Sequence, residues 1–295
     1  MPGPGTPTFD QLSVLVAVAD EGGLAAAARK LGRATSVVSY AIDNLEAQLG
    51  LKLFDRITTR KPRLTREGEA VLVDARELLA GIDSLKARVQ GLSEGLEAEV
   101  ALAVDVMLPT DRLVDALTAF RIAFPTVALR LHVEALGGVT QLLLDGKAVI
   151  GINNHMHYGV EDLERRTVGS TLMVPVAAPG HPLARKANKQ DARDHVQLVL
   201  TDRSPLTQGQ DFGVLSDRNW RLADLGAKHA LLLAGLGWGN MPEFMIRDDL
   251  KARRLVQLKL RDWPEGHYPL QAVWRRAHAP GPAACWLVER FAAQA

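Results

Sequence analysis

Cysteine is almost missing from this chain. Cys285 is the single one among 295 residues, so no intrachain disulfide can form, and a reducing compartment is the natural home. No His or Asn motif beside it marks a nucleophile, so Cys285 is expected to be a small buried apolar residue. Net charge is scarce as well: the balance of +1 argues against a uniformly basic nucleic-acid coat. No uninterrupted apolar run reaches the roughly 18 residues a membrane span needs. The opening MPGPGTPTFD lacks both the basic and the apolar region of a secretion signal, so a cytoplasmic protein without membrane contact is expected. No short repeat is visible.

What is present is a 47% share of apolar residues, enough for more than one core, on a chain of roughly two-domain length. Charge is unevenly spread. Between Arg29 and Arg66 there are nine Lys or Arg (Arg29, Lys30, Arg33, Lys52, Arg56, Arg60, Lys61, Arg63, Arg66) against Asp43, Glu46 and Asp55. That segment is net +6 and the remainder net −5, a basic head on a slightly acidic body, as expected when one end touches phosphate.

The stretch LAAAARKLGRATSVVSYAIDNLEAQL, residues 24–49, reads as two short helices hinged at Leu31-Gly32-Arg33. Small residues on the first (Ala26, Ala27) allow close packing. On the second, Val38, Ile42, Leu45 and Leu49 make a buried stripe, leaving Thr35, Ser36, Ser39, Tyr40 and Asp43 on other faces. This is the pattern of a helix-turn-helix. Phe9, Leu12, Leu15, Val16 and Ala19 supply a preceding helix that stops at Gly22-Gly23. Residues 51–56 and 62–65 flank a basic tip and read as a two-stranded wing. Thr65 is placed as the N-cap of a long helix, with Glu67 and Glu69 in its first turn. Along that helix Val71, Ala75, Leu78, Ile82, Leu85 and Val89 alternate in steps of four and three, a heptad seam that predicts pairing with a second copy. Gly91 to Gly95 ends it in a hinge.

From Leu96 short apolar runs alternate with helical patterns, which predicts parallel strands joined by crossover helices. Strands are expected over 100–104, 128–133, 148–152, 172–177, 196–200, 255–258 and 268–274. Helices are expected over 111–123, 138–144, 222–235, 242–251 and 283–293.

An ordered set of motifs now points to a family. Phe9-Asp10-Gln11-Leu12, Ala25 through Leu31, Ser39-Tyr40-Ala41-Ile42, Leu45-Glu46, Leu49-Gly50, Leu53 through Arg56, Leu64-Thr65 and Gly68 resemble the LysR-type transcriptional regulators. Phe124-Pro125, Leu143 through Gly146, Gly180 through Leu183, Gly235-Leu236-Gly237 and Met241-Pro242 continue the resemblance more loosely. It implies a multidomain fold: a mainly α winged helix-turn-helix (1–64), a linker helix that dimerises (65–94), and an α/β effector-binding module of the type II periplasmic-binding-protein kind (95–295). Chain crossings near Thr171 and near 263–268 would divide that module into subdomain I (95–171 and 266–295) and subdomain II (172–265). Implied partners are double-stranded DNA, a small-molecule effector, a second copy and a tetramer of two such dimers, with RNA polymerase a further candidate. One departure is that Thr35-Ser36 stands where family members often carry Gln-Pro. Serine caps well, so the fold should survive while base preference changes.

Candidate DNA contacts are Arg33, Thr35, Ser36, Ser39, Tyr40 and Asn44, with Arg33 and the wing residues Arg56, Arg60 and Lys61 set against phosphates. Packing of Tyr40 into the helix-turn-helix core is the alternative for that side chain. Candidate effector contacts are Asp105, Met107, Thr110, Asn153, His155, Thr201, Asp202, Arg203, Ser204, Trp238, Gly239, Asn240 and Met241, all at strand ends or helix starts. Trp238 would offer a stacking face to a small aromatic or polar metabolite. Arg203 leaves an anionic ligand open.

Enzymatic signals are thin. Gly235-Leu236-Gly237-Trp238-Gly239 ends a helix and lacks the third spaced glycine of a dinucleotide site. His155-Met156-His157 has no cysteine or carboxylate cluster at ligand spacing, so no metal or cofactor is expected. The leading function is a ligand-responsive DNA-binding transcriptional regulator, not an enzyme. The alternative is a constitutive DNA-binding or architectural protein, or a small-molecule binder with no allosteric role.

Overall fold

The computed structural model describes residues 5–55, 62–93, 95–154, 156, 158–185, 192–210, 212–260 and 265–294. Met1–Gln90 form one compact unit and Gly91–Ala295 another.

The first unit begins with α1 (Phe9–Glu21), opened by a reciprocal capping box in which Thr8 N–H donates to Gln11 Oε1 (2.8 Å) and Gln11 N–H to Thr8 Oγ1 (3.2 Å). Next come α2 (Leu24–Leu31) and α3 (Thr35–Leu49). All three helices end on a glycine in the left-handed region, Gly22, Gly32 and Gly50, with φ of 69°, 64° and 69°. Ala27 and Ala28, rather than Ala26, carry the close packing of α2, with Leu15, Val38, Ile42 and Leu45 completing one core.

The wing narrows to two residues per strand, β1 (Phe54–Asp55) against β2 (Arg63–Leu64), antiparallel. The expected tip, with Arg56, Arg60 and Lys61, lies outside the described residues. Thr65 then caps α4 (Arg66–Ser93): its hydroxyl accepts from Gly68 N–H at 2.9 Å and donates to Lys52 O at 2.6 Å. A β-carbon on Gly68 would lie 2.1 Å from Leu53 O, so the helix start rests directly on the strand backbone.

The expected seam of α4 is divided between two uses. Leu72 and Ala75 are buried in the head core, and Val71 packs against it. Ala75 and Val71 are therefore intrachain contacts, because the first turns of α4 cover the open side of a small core. Farther along, Leu78 (53% exposed), Leu85 (60%) and Val89 (57%) stand in solvent, with Ile82 half-buried.

The second unit is built on a mixed sheet whose strands, in spatial order, are β4 (Ala128–Glu134), β3 (Glu99–Asp105), β5 (Ile150–Asn154), β11 (Gly266–Arg275), β6 (Leu163–Ala177), β9 (Trp238–Pro242), β7 (Gln197–Leu200) and β8 (Asn219–Leu222), with β10 (Val256–Gln257) also on β6. Its first half contains β3 (Glu99–Asp105), α5 (Thr110–Ala123), β4 (Ala128–Glu134), α6 (Gly137–Leu144) and β5 (Ile150–Asn154), with β3 parallel to both β4 and β5. The second half contains β7 (Gln197–Leu200), β8 (Asn219–Leu222), α7 (Leu225–Leu233), β9 (Trp238–Pro242), α8 (Glu243–Lys251) and β10 (Val256–Gln257), with β7 parallel to β8 and β9.

Two long strands join the halves. β6 (Leu163–Ala177) runs unbroken through Thr171, and β11 (Gly266–Arg275) returns antiparallel to it, from Gly266 opposite Met173 to Arg275 opposite Leu163. α9 (Pro282–Ala292) closes the first half, with the Glu97 carboxylate accepting from its Ala283 and Ala284 N–H groups at 3.0 and 3.1 Å.

Several expectations change. Residues 219–222 are a strand, so α7 starts at Leu225 on an Asp224 cap, and 238–242, between the two expected helices, form the strand β9. Cys285 is exposed, since the buried face of α9 is Ala283, Ala284, Leu287, Val288 and Phe291. Gly237 and Gly239 serve strand pairing: a β-carbon on either would come within 2.6 Å of a carbonyl oxygen, of Val196 and Leu198 respectively. Among the described residues no group of His, Cys, Asp or Glu could hold a metal ion, and no single helix is long and apolar enough to cross a membrane.

Candidate nucleic-acid interface and effector pocket

The outer face of α3 follows from the stripe that its inner face buries. Val38, Ile42 and Leu45 are 1% exposed or less, which turns Tyr40 outward at 68% and Val37 at 49%. Tyr40 is thus not packed in the core. Thr35 and Ser36 are exposed in the first turn, and Ser39 and Asn44 are half-buried on the flanks. The cap position is Ala34, so the serine does not cap, and among the described residues no side chain caps this helix. Its first N–H groups are left for water or for an anion such as a phosphate oxygen.

Arg33 is already engaged. Its guanidinium forks onto Asp10, Nη1 to Oδ2 at 2.9 Å and Nη2 to Oδ1 at 2.6 Å, bracing the α2–α3 turn on α1. That hydrogen-bonded pairing holds the Asp10 carboxyl below its ordinary range. The pair is exposed and screened by salt, so its stabilisation is modest.

Glu46 went unnoticed as a structural residue. At 3% exposure it accepts from Leu53 N–H (2.9 Å), Phe54 N–H (3.2 Å) and Lys52 Nζ (2.8 Å), tying α3 to the wing. Burial raises its carboxyl, but these three donors outweigh burial and leave it below the usual glutamate value.

In the α/β unit a cavity of about 180 Å³ opens between the two halves of the sheet. The first half supplies Met107, Leu136 and Tyr268, and the second supplies Met173, Leu198, Phe212, Lys228 and Asn240. A wider opening of about 710 Å³ shares Leu136, Leu200 and Phe212 and is lined by Thr201, Asp202, Arg203 and Ser204. The halves touch closely at its edge. A β-carbon on Gly137 would lie 2.6 Å from Ser204 Oγ and 2.9 Å from Asp202 Oδ2. Leu136, just before it, holds a positive φ of 48°, a strained conformation for a branched side chain and one placed at the pocket wall.

Behind the cavity lies a polar cluster. Asp105 accepts from Met107 N–H at 2.9 Å and from the Tyr268 hydroxyl at 2.8 Å, and Asn154 Nδ2 donates to Tyr268 at 2.8 Å and to Tyr158 at 2.5 Å. Burial pushes the Asp105 carboxyl up to about 6 and the Tyr268 hydroxyl well above its ordinary value. Asn153 donates to Thr140 Oγ1 at 2.8 Å and is fully buried, and Thr171 Oγ1 donates to Met107 O at 2.6 Å.

The expected effector residues therefore separate. Met107 and Asn240 line the smaller cavity and Thr201 to Ser204 the wider opening, while Asp105 reaches the cavity through Tyr268. Asn153 is a buried brace, Thr110 is exposed at the start of α5, and Met241 is buried in an apolar cluster that draws on both halves. His155 lies outside the described residues. Gly239 underlies Lys228, whose Cε a β-carbon would approach at 3.2 Å.

Trp238 is a correction. Its indole is fully buried with Ala177, Ala192 and Leu258, and its Nε1–H donates to Ala192 O at 3.1 Å, so no stacking face remains. Lys228, Tyr268 and Leu136 were missed. Lys228 had a readable signal, since in α7 it stands three residues after Leu225 and four before Leu232, on the apolar stripe.

A family model described as bacterial regulatory helix-turn-helix protein, lysR family, matches residues 9–69, and one described as LysR substrate binding domain matches residues 93–295. The HTH-type transcriptional regulator AceR of Acinetobacter baumannii is 28% identical, with 95% of each chain covered. The probable HTH-type transcriptional regulator YhaJ of Escherichia coli is 30% identical, with 96% of this chain and 95% of the relative covered. Among solved structures, full-length LysG from Corynebacterium glutamicum with bound effector Arg shares the fold at a TM-score of 0.51, 20% identity and 97% of each chain. A helix-turn-helix head followed by a two-halved α/β module, each matched in order, places the chain in the LysR family of transcriptional regulators.

Proposed function

We propose that α3 reads double-stranded DNA and that a small molecule held between the two halves of the α/β module controls that reading. The carrying observation is the wall of the smaller cavity, to which Met107, Leu136 and Tyr268 contribute from one half and Leu198, Lys228 and Asn240 from the other. An occupant touching both halves has a different affinity for each of their relative positions, which is the condition for a ligand to shift a conformational equilibrium. Residues 1–64 act as the head, 65–94 as the linker and 95–295 as the module. The exposed Leu78, Leu85 and Val89, with Ile82, form the α4 surface on which a second copy pairs, and two such dimers make a tetramer that engages RNA polymerase.

On the head, Tyr40, Thr35 and Ser36 meet DNA while Arg33 holds the turn. The test is anisotropy of the full chain on the intergenic DNA beside its own gene across a salt series. Preference over random DNA with a steep salt slope is expected, and Tyr40→Ala should weaken it about tenfold at unchanged Tm. Equal binding to random DNA by both proteins would refute the assignment of α3.

A further inference from the structure

We propose that the cavity between the two halves takes a small apolar monocarboxylate, and that Lys228 supplies its counter-charge. The inference rests on the reading of this cavity as the effector site and narrows what fills it.

Lys228 is 4% exposed, and its Nζ donates to Asn240 O at 2.7 Å. An ammonium carries three N–H donors, so among the described residues two are left without an acceptor. Among the described residues it makes no ion pair. No carboxylate among them contributes to the electrostatics of Lys228, on which burial alone acts, and the module's buried Asp105 and Asp249 are bonded elsewhere, to Met107 and Tyr268 and to His229 and Arg254. Burial lowers the Lys228 ammonium to about 8, which still leaves it mostly protonated at neutral pH. A buried charge without a partner is among the costlier features a fold can hold.

The rest of the wall agrees. Among the described residues the Asn240 side-chain amide makes no hydrogen bond, and its Oδ1 position is buried; with the amide turned over, Nδ2 takes that place and donates to a carboxylate beside Lys228. Gln197, the other amide at the cavity, is spent on Gly213 O, Leu215 N–H and Ser216 N–H at 2.8, 2.8 and 2.9 Å. Met107, Met173, Leu198 and Phe212 make the remainder apolar, and about 180 Å³ admits only a small body. Water could accept from the free N–H groups but would leave the charge unmatched. A carboxylate does both.

The test uses the full chain at fixed ionic strength with matched pairs, benzoate against benzamide and hexanoate against hexanamide, read by thermal shift and calorimetry on wild type, Lys228→Met and Lys228→Gln. The acids should raise the wild-type Tm saturably and bind about tenfold or more tightly than their amides. Both variants should lose that preference. Amides that bind as well as acids, or a preference that survives in Lys228→Met, would overturn the role of Lys228 while leaving the cavity as the effector site. No shift from any of the four compounds would count against the cavity itself and remove the inference with it. Should Lys228→Met fail to fold, the wild-type acid and amide pairs and the Gln variant still decide.

Discussion

Glu46 in the head and Lys228 in the α/β module are buried to nearly the same degree, 3% and 4% exposed, yet their surroundings are opposite. Glu46 collects two backbone N–H groups and Lys52, and its carboxyl is held below the usual range. Among the described residues Lys228 has one carbonyl, and burial lowers its ammonium to about 8. A fully bonded buried charge serves the fold itself. One left with open donors on a cavity wall points to a missing partner, so the two residues differ in what completes them, the fold for Glu46 and a ligand for Lys228.

The largest expected effect comes from breaking the satisfied case. Glu46→Ala leaves the Leu53 and Phe54 N–H groups buried and unpaired, and should cost roughly 3–5 kcal/mol with loss of DNA binding, measured by urea unfolding of the full chain. Acid should act in the same direction. Because the folded Glu46 carboxyl sits below its ordinary value of 4.5, its stabilisation is present above that value and is lost as pH falls through the depressed one.

Asp105 sharpens the contrast with the opposite sign. Its carboxyl is raised from 3.8 to about 6, so the stability it contributes is complete below 3.8 and is lost as pH rises through about 6. By linkage this is at most roughly 3 kcal/mol. Asp105→Asn can still accept from Met107 N–H, and it should flatten the Tm profile of the module between those pH values. A slope unchanged by the substitution would assign the titration to another group.

The smallest effect is expected at Lys228. Without ligand, Lys228→Met removes an uncompensated charge and retains the apolar stem, so Tm should stay level or rise by the equivalent of about 1 kcal/mol. A fall of the size expected for Glu46→Ala would show that Lys228 is as structural as Glu46 and erase the difference between the two residues.

Much of the head was legible because its signals are local. The spacing of Val38, Ile42 and Leu45, the glycine stops and the Thr65 cap each concern residues within a few positions of one another. Legibility declined in the module. The first half of β6, Leu163 to Thr171, carries Glu164, Arg165, Arg166 and Thr167 and has no apolar run. It is a strand because β11 pairs along it, a partner about a hundred residues away in sequence. Trp238 shows the same limit at the site. Its type suited a ligand face, but only the packing of Ala192 and Leu258 around it revealed that the indole is interior.

Sequence alone determined the family, the helix-turn-helix and the alternation of strands and helices, since all of these rest on periodicity and short ordered motifs. It also put Met107 just past the end of a strand, whereas Asn240, expected ahead of a helix start, lies in the middle of β9. Tertiary structure decided that Val71 and Ala75 belong to the head, that Arg33 is held by Asp10, and that Lys228, Tyr268 and Leu136 meet at one cavity. The physical reason is range. Local pattern sets which face of an element is apolar, while the burial of a charge and the partners left to it depend on elements brought together from distant parts of the chain.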